Sequence, residues 1–382
     1  MSVLHASFDS DFTPYLAFAT RDGFSVLNVD HLEENTFETS ESGVGCIQIF
    51  RSNGTAMVAI VGSGDLAGSS PRKLKILDVN TRQTVCELSF QSSILSCSIN
   101  SNHIAVCLES KIHIIEVNGM KTIKKISTAT NSLGIMSLSK SVSPSLLAYP
   151  TSSSTGKVTV MNINALGAPT TAPDISYNAH KSPLVCLQMN GNGELTATAS
   201  TIGTIIRVFN TRTGLVVSEF RRGLHHASIT SLLFCPHDSI LVVGSSTGTV
   251  HIFQLSERVE LDTRASDQSL EVKPRNIFGI IFRAAFTSVQ MELRNKNKNS
   301  ARASFIARIP SLEGPICMTV MHGGVEGRGT GSYSNCGNGS GSAGGCGSGS
   351  DNADGNADSS ISIGDSSDKK LYVVTASGYL FR

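Results

Sequence analysis

No tryptophan occurs among the 382 residues, so the Trp-Asp dipeptide that marks the commonest four-stranded β repeat is missing. Cys-x-x-Cys pairs are missing too. The nine cysteines stand apart, most of them inside apolar runs. That pattern argues against a disulfide framework or a zinc site and for free thiols in a reducing compartment. The ten histidines show no HxxxH or HxH spacing, so no metal or cofactor is expected. Charge of one sign is also lacking. Lys plus Arg is 31 and Asp plus Glu is 30, a net +1, so anion binding has to come from a local cluster rather than a global field. No basic-aromatic stripe is present, and nucleic acid is not an expected partner. No apolar run approaches the length of a membrane span, and Asp9 and Asp11 interrupt any leader-like start. The expected setting is the cytosol. A GxSxG elbow, HExxH, a Gly-rich phosphate loop and a paired-carboxylate site are all absent, so catalysis is not expected.

What the chain does contain is a repeat. Short strands of alternating residues recur at 23–29, 73–79, 111–117, 157–163, 204–209 and 249–253, with a truncated seventh at 378–381. The equivalent positions Val26, Ile76, Ile114, Val160, Val208 and Ile252 are spaced by 50, 38, 46, 48 and 44 residues. A period near ~40–45 residues is that of a four-stranded propeller blade. Upstream of these strands lie others ending in small residues, at 16–20, 57–61, 104–107, 195–199 and 241–244. Further upstream come 46–50, 94–97, 184–187 and 229–234. Short strands separated by turn signals favour radial all-β packing, and a sandwich would need no fixed long period. The expected fold is all-β: a seven-bladed β-propeller of degenerate WD repeats spanning 1–382, whose last blade lacks a fourth strand.

Two segments interrupt the repeat. Residues 257–303 fall between the third strand of blade six and a fourth strand expected at 304–309. Residues 323–368 are Gly, Ser, Asn and Asp with almost no large apolar residue, which reads as a disordered loop inside blade seven.

Blade five ends in Phe220-Arg221-Arg222-Gly223. Neighbours on an extended segment point to opposite sides, so the two arginines would serve two separate pockets. Gly223 then allows a sharp bend. Polar residues flank each arginine: Thr198, Ser200, Gly203, Thr204 and Arg207 from blade five, and Ser245, Thr249 and His251 from blade six. Guanidinium forks and hydroxyls are what a phosphorylated sugar needs. His180, His225 and His226 read as locally bonded turn residues.

The run Phe220-Arg221-Arg222-Gly223, followed by residues 230–236 and 248–253, resembles the PROPPIN family of autophagy-related propellers. The resemblance is strongest from 183 to 255. It implies seven blades and two rim sites for phosphatidylinositol 3-phosphate and the 3,5-bisphosphate. By that resemblance Thr198, Ser200, Gly203, Thr204, Arg207 and Arg221 form the first site. Arg222, Gly223, Ser245, Thr249 and His251 form the second. It further implies phosphoinositide membranes and autophagy factors, including a lipid-transfer protein, as partners. The setting it implies is peripheral, on preautophagosomal, endosomal or vacuolar membranes. A propeller scaffold that binds only proteins is the alternative.

Within the blade-six insertion, Phe278, Phe282, Phe286, Val289 and Leu293 recur at helical spacing opposite Arg283, Thr287, Gln290 and Arg294. Residues 273–302 hold seven basic residues and one acid. The segment 276–294 reads as an amphipathic helix at a membrane interface, over the alternative of a helix or extra strand packed on the propeller flank, with Phe278, Phe282 and Phe286 as its membrane anchor.

Overall fold

In the strand at 111–116, Ile112, Ile114 and Ile115 are buried while Lys111 and Glu116 at its ends are exposed. Such strands are half-buried ribbons that need partners on both edges. In the computed structural model they find them in seven antiparallel sheets. Residues 3–255 are described apart from 9–14, 29–34, 40–42, 53, 67, 166–173 and 235–239. Beyond them only 290–293, 305–308, 316–323, 369–375 and 380–381 are described.

Blade one comprises β1 (Val3–Phe8), β2 (Tyr15–Thr20), β3 (Gly23–Asn28) and β4 (Asn35–Thr39). Blade two is β5 (Val44–Ser52), β6 (Thr55–Gly62), β7 (Lys73–Asp78) and β8 (Thr84–Ser89). Blade three is β9 (Ser96–Ile99), β10 (His103–Cys107), β11 (Lys111–Glu116) and β12 (Lys121–Ser127). Blade four is β13 (Ser137–Leu138), β14 (Leu146–Pro150), β15 (Gly156–Asn162) and β16 (Ile175–His180). Blade five is β17 (Leu184–Met189), β18 (Leu195–Ser200), β19 (Ile205–Asn210) and β20 (Val216–Arg221). Blade six has β21 (Ile229–Phe234), β22 (Ile240–Ser245), β23 (Thr249–Gln254), β24 (Gln290–Leu293) and β25 (Phe305–Arg308). Blade seven has β26 (Ile316–Gly323), β27 (Lys369–Thr375) and β28 (Leu380–Phe381).

The first strands of successive blades lie side by side from β1 through β26, and β26 returns against β1. Among the described residues the ring closes by packing alone, because blade one is made of four consecutive strands and shares none with blade seven. The fold is the expected β-propeller: among the described residues, six sheets of four or five strands and a seventh of three.

The core is a circle of seams rather than a single centre. One apolar cluster joins blades two and three through Phe50, Leu74, Ile104 and Val106. Another joins blades five and six through Val208, Phe220, Leu241 and Phe253. Each fully buried side chain of this size contributes about 2 kcal/mol. Ala17, Ala59, Ala105, Ala148 and Ala197 of the second strands are fully buried, which is what sheets converging on an axis demand. Cys46 on β5 and Cys97 on β9 meet across a seam with their sulfurs 3.6 Å apart. Both thiols are free.

Bulges repeat with the blades. The pairing of third and fourth strands slips immediately after Val26, Ile76, Ile114 and Val208. These are four of the positions aligned by sequence spacing alone. β25 pairs with β23 where the fourth strand of blade six was expected. One expectation is corrected. Gln290–Leu293, the end of the anticipated helix, is strand β24 on the outer edge of β25. Phe278, Phe282, Phe286 and the rest of that segment lie outside the described residues, as does 324–368. Among the described residues no helix is long and apolar enough to cross a membrane.

A candidate anion-binding rim on blades four to six

β20 organises the site by strand parity. Glu219 and Arg221 are two residues apart and share one face; Phe220 and Arg222 share the other. Glu219 stands opposite Arg207 of β19, which stands opposite Thr198 of β18. This row faces blade four. Arg207 Nη1 donates to the Ala179 carbonyl at 2.7 Å and Nε to Glu219 at 2.7 Å. His180 of β16 completes the row, its Nε2 3.0 Å from Thr198 Oγ1 and 3.2 Å from the Thr198 carbonyl. A carbonyl can only accept, so Nε2 carries the proton. Burial, helped by the Arg207 cation, pushes the His180 pKa down to about 4, so the imidazole is neutral at neutral pH.

The opposite face looks at blade six. Phe220 stacks on Phe253 of β23 with centroids 4.7 Å apart. His251, next but one to Phe253, stacks on it in turn at 6.3 Å. Polar contacts run on from there: His251 Nε2 to Thr249 Oγ1 at 3.1 Å, and Thr249 Oγ1 to Ser245 Oγ at 2.7 Å. Arg222 lies on this side. Its backbone N–H extends the ladder to the Thr204 carbonyl at 2.9 Å. Its Nε donates to the Gly203 carbonyl at 2.7 Å and its Nη2 to that of His225. Burial draws the Arg222 guanidinium below the usual arginine value.

Three turns stack at this rim. The 201–204 turn has Gly203 at φ +65°, where an added Cβ would lie 1.8 Å from the Ala227 carbonyl oxygen. Only glycine lets the 223–228 loop lie so close. That loop in turn accepts a bond at Ser228 from Ser246 N at 2.8 Å, in the blade-six turn.

The sequence-derived residues divide sharply here. Arg221 is exposed, with no hydrogen bond or ion pair from its guanidinium to any described residue. Thr204, Arg207, Arg222 and Gly223 are half-buried. Thr198, Ser200, Gly203, Ser245, Thr249 and His251 are buried behind them. Thr198, Arg207 and His180 form one linked row and Ser245, Thr249 and His251 another, while Arg222 is tied to Gly203 and His225. His180 was misread as a locally bonded turn residue, for it ties blade four to Thr198 across a seam. Its place at the end of a fourth strand, one blade before the arginines, was the available signal. No group of three or more metal-ligating side chains occurs among the described residues.

The family model described as PROPPIN matches residues 2–308. The chain belongs to the PROPPIN family. Among its relatives is autophagy-related protein 18 of Yarrowia lipolytica, 34% identical over 68% of this chain and 68% of that protein. The same-named protein of Komagataella pastoris is 32% identical over 71% of this chain, and that of Aspergillus clavatus 32% over 70%. The chain spans 55% and 66% of those two proteins' own lengths. Among solved structures, Kluyveromyces lactis Hsv2 shares the fold at a TM-score of 0.57 and 24% identity, over 68% of this chain and 75% of that one. KlAtg21, solved in complex with the coiled-coil of AgAtg16, matches at 0.57 and 26% identity, over 67% of this chain and 82% of that one.

Proposed function

We propose that this PROPPIN is a phosphoinositide-binding membrane effector in autophagy. It reads phosphatidylinositol 3-phosphate and the 3,5-bisphosphate and recruits autophagy machinery to the membranes that carry them. One observation carries the reading. Arg221 and Arg222 leave a blade rim on opposite faces, the first unpaired among the described residues and the second aimed by backbone carbonyls. A guanidinium fork matches phosphate oxygens in two directions at once. The buried Ser245, Thr249 and His251 form a hydrogen-bonded support for a phosphate at Arg222, and Thr198 with His180 does the same on the side of Arg221.

Neither site needs to be strong alone. Two headgroup contacts on one rigid ring, joined by the phenylalanines of the blade-six insertion, reinforce each other through effective concentration. The protein would act peripherally at preautophagosomal, endosomal or vacuolar membranes. Partners would be autophagy factors, a lipid-transfer protein and a coiled coil such as the one on KlAtg21 among them.

Flotation with vesicles containing each phosphoinositide tests this. Arg221→Thr with Arg222→Thr removes both forks, and vesicle affinity is expected to fall by on the order of a hundredfold or more, two charged contacts at about 1.5–3 kcal/mol each. Equal flotation of this variant and the parent would leave a propeller scaffold without lipid selectivity as the better reading.

A further inference from the structure

Ten large apolar side chains are exposed among the described residues, and five of them are Ile202, Leu215, Val216, Val217 and Leu224. Exposed apolar side chains are ordinary when scattered singly. Ile202 and Leu224 stand at the arginine end of blade five, and Leu215 and Val216 at the other end of β20. All five belong to blade five or to the loop leaving it, within 23 residues of sequence that also hold Arg221 and Arg222. Ile202 tips the turn between β18 and β19 and is 48% exposed, while Leu224 follows Gly223 and is 72% exposed. Arg222 joins their two turns directly, because its Nε and Nη2 bond the carbonyls of Gly203 and His225, the residues immediately after Ile202 and Leu224. The bond from Thr201 N to the Pro183 carbonyl, 2.9 Å, ties in the strand-to-strand link that carries exposed Lys181. The one acid of β20, Glu219, faces the other side and is already paired with Arg207.

We infer that Ile202 and Leu224 enter the apolar boundary of an anionic bilayer beside the Arg222 headgroup site, as a membrane contact made by blade five itself. The occupant follows from the chemistry of the surround. Two aliphatic tips flanked by Lys181, Arg221 and Arg222 match a surface that is negative at the headgroups and apolar immediately beneath. An acidic protein would satisfy the cations but leave both aliphatic tips in water. The inference rests on the phosphoinositide reading. It adds an anchor that is fixed to the ring, unlike one carried on a long insertion.

The test uses the whole chain, vesicles of phosphatidylcholine with phosphatidylinositol 3-phosphate, and the soluble headgroup inositol 1,3-bisphosphate. Ile202→Ser with Leu224→Ser is expected to weaken vesicle binding on the order of tenfold. Headgroup binding by calorimetry should stay within about twofold, because neither side chain touches the arginines' donors. Val85→Ser, an equally exposed aliphatic (54%) on blade two, should change neither. Since the chain has no tryptophan, Leu224→Trp places a single indole at the tip. Its emission should shift to the blue with vesicles and not with soluble headgroup. Unchanged flotation of the double variant, equal loss of headgroup and vesicle binding, or an unshifted indole would each overturn the bilayer contact while leaving the headgroup sites standing. A parent that binds neither vesicle nor headgroup would instead overturn the phosphoinositide reading, and this contact with it.

Discussion

Blades three and five both end in an open edge strand, β12 and β20, and the two edges carry different chemistry. β12 presents Lys121, Lys124 and Lys125 to solvent, with Ile123 as a moderately exposed aliphatic. β20 presents Val216 and Val217, follows exposed Leu215, and finishes on Arg221. An unpaired edge is a template for further pairing, and lysines are a common device for keeping it in water. Blade three has that protection; blade five does without it. Folding alone gives no reason for the difference, since both edges sit on sheets of the same order and similar cores. The difference makes sense if one arc of the ring faces water and the other faces a surface. The edge strand without lysines is the one that runs into the twin arginines.

Three changes can break or sharpen that contrast. The largest effect is expected at the turn stack supporting the blade-five rim. Gly203→Ala both forces a non-glycine residue to φ +65° and drives its Cβ against the Ala227 carbonyl. A loss of about 3 kcal/mol in denaturant titration is expected, strain and displacement together. Gly54→Ala, at φ +80° with nothing within 4 Å, carries the strain alone and should cost about 1 kcal/mol. If the two variants unfold alike, the rim is not held by that close approach.

Next comes acid. His180 has its folded pKa near 4 against an ordinary 6.5, so the unfolded chain takes up the proton first as pH falls. Its contribution is fully present above 6.5 and is lost progressively between 6.5 and 4, up to about 3 kcal/mol in all. His180→Gln should therefore flatten stability against pH across that window. An acid limb as steep as the parent's would mean that the seam between blades four and five does not depend on a neutral imidazole.

The smallest effect is expected on blade three. Lys124→Thr with Lys125→Thr should leave phosphoinositide-vesicle binding within about twofold at physiological salt, where distant exposed charges are screened. A loss as large as that of the arginine pair would mean that both edges meet the membrane, and the contrast drawn above would fail.

Much of this was legible from residues alone, for a physical reason. A blade's third strand is buried on both sides of its seam, so its alternating pattern recurs wherever the blade recurs. All six complete third strands stand where the spacing of Val26, Ile76, Ile114, Val160, Val208 and Ile252 put them. β14 went unread because Leu146–Pro150 ends on a proline, which argues against an inner strand, where the strands that were found end in small residues. β24 was misread as helix because spacing over a short apolar run serves either structure. At the rim, strand parity along β20 is the basis for assigning Arg221 and Arg222 to different faces. Burial was not legible. A threonine or serine in a rim strand looks the same whether it touches solvent or, like Thr198 and Ser245, is wholly buried behind a cation. His180 was missed because its partner is a blade away, and sequence distance hides a seam.

The hold that Gly203 and His225 keep on Arg222 has a consequence for how an anion is caught. Immobilising a free arginine on binding costs about 0.5–1.5 kcal/mol of side-chain entropy. Arg222 has given up that freedom in folding, with two of its nitrogens already engaged. Arg221 keeps its own until something arrives. The neighbour that roams sweeps a wide volume and meets a passing phosphate often; the neighbour that is clamped meets it rarely but needs no reordering to bind. On the proposed headgroup reading, the two would divide encounter from retention.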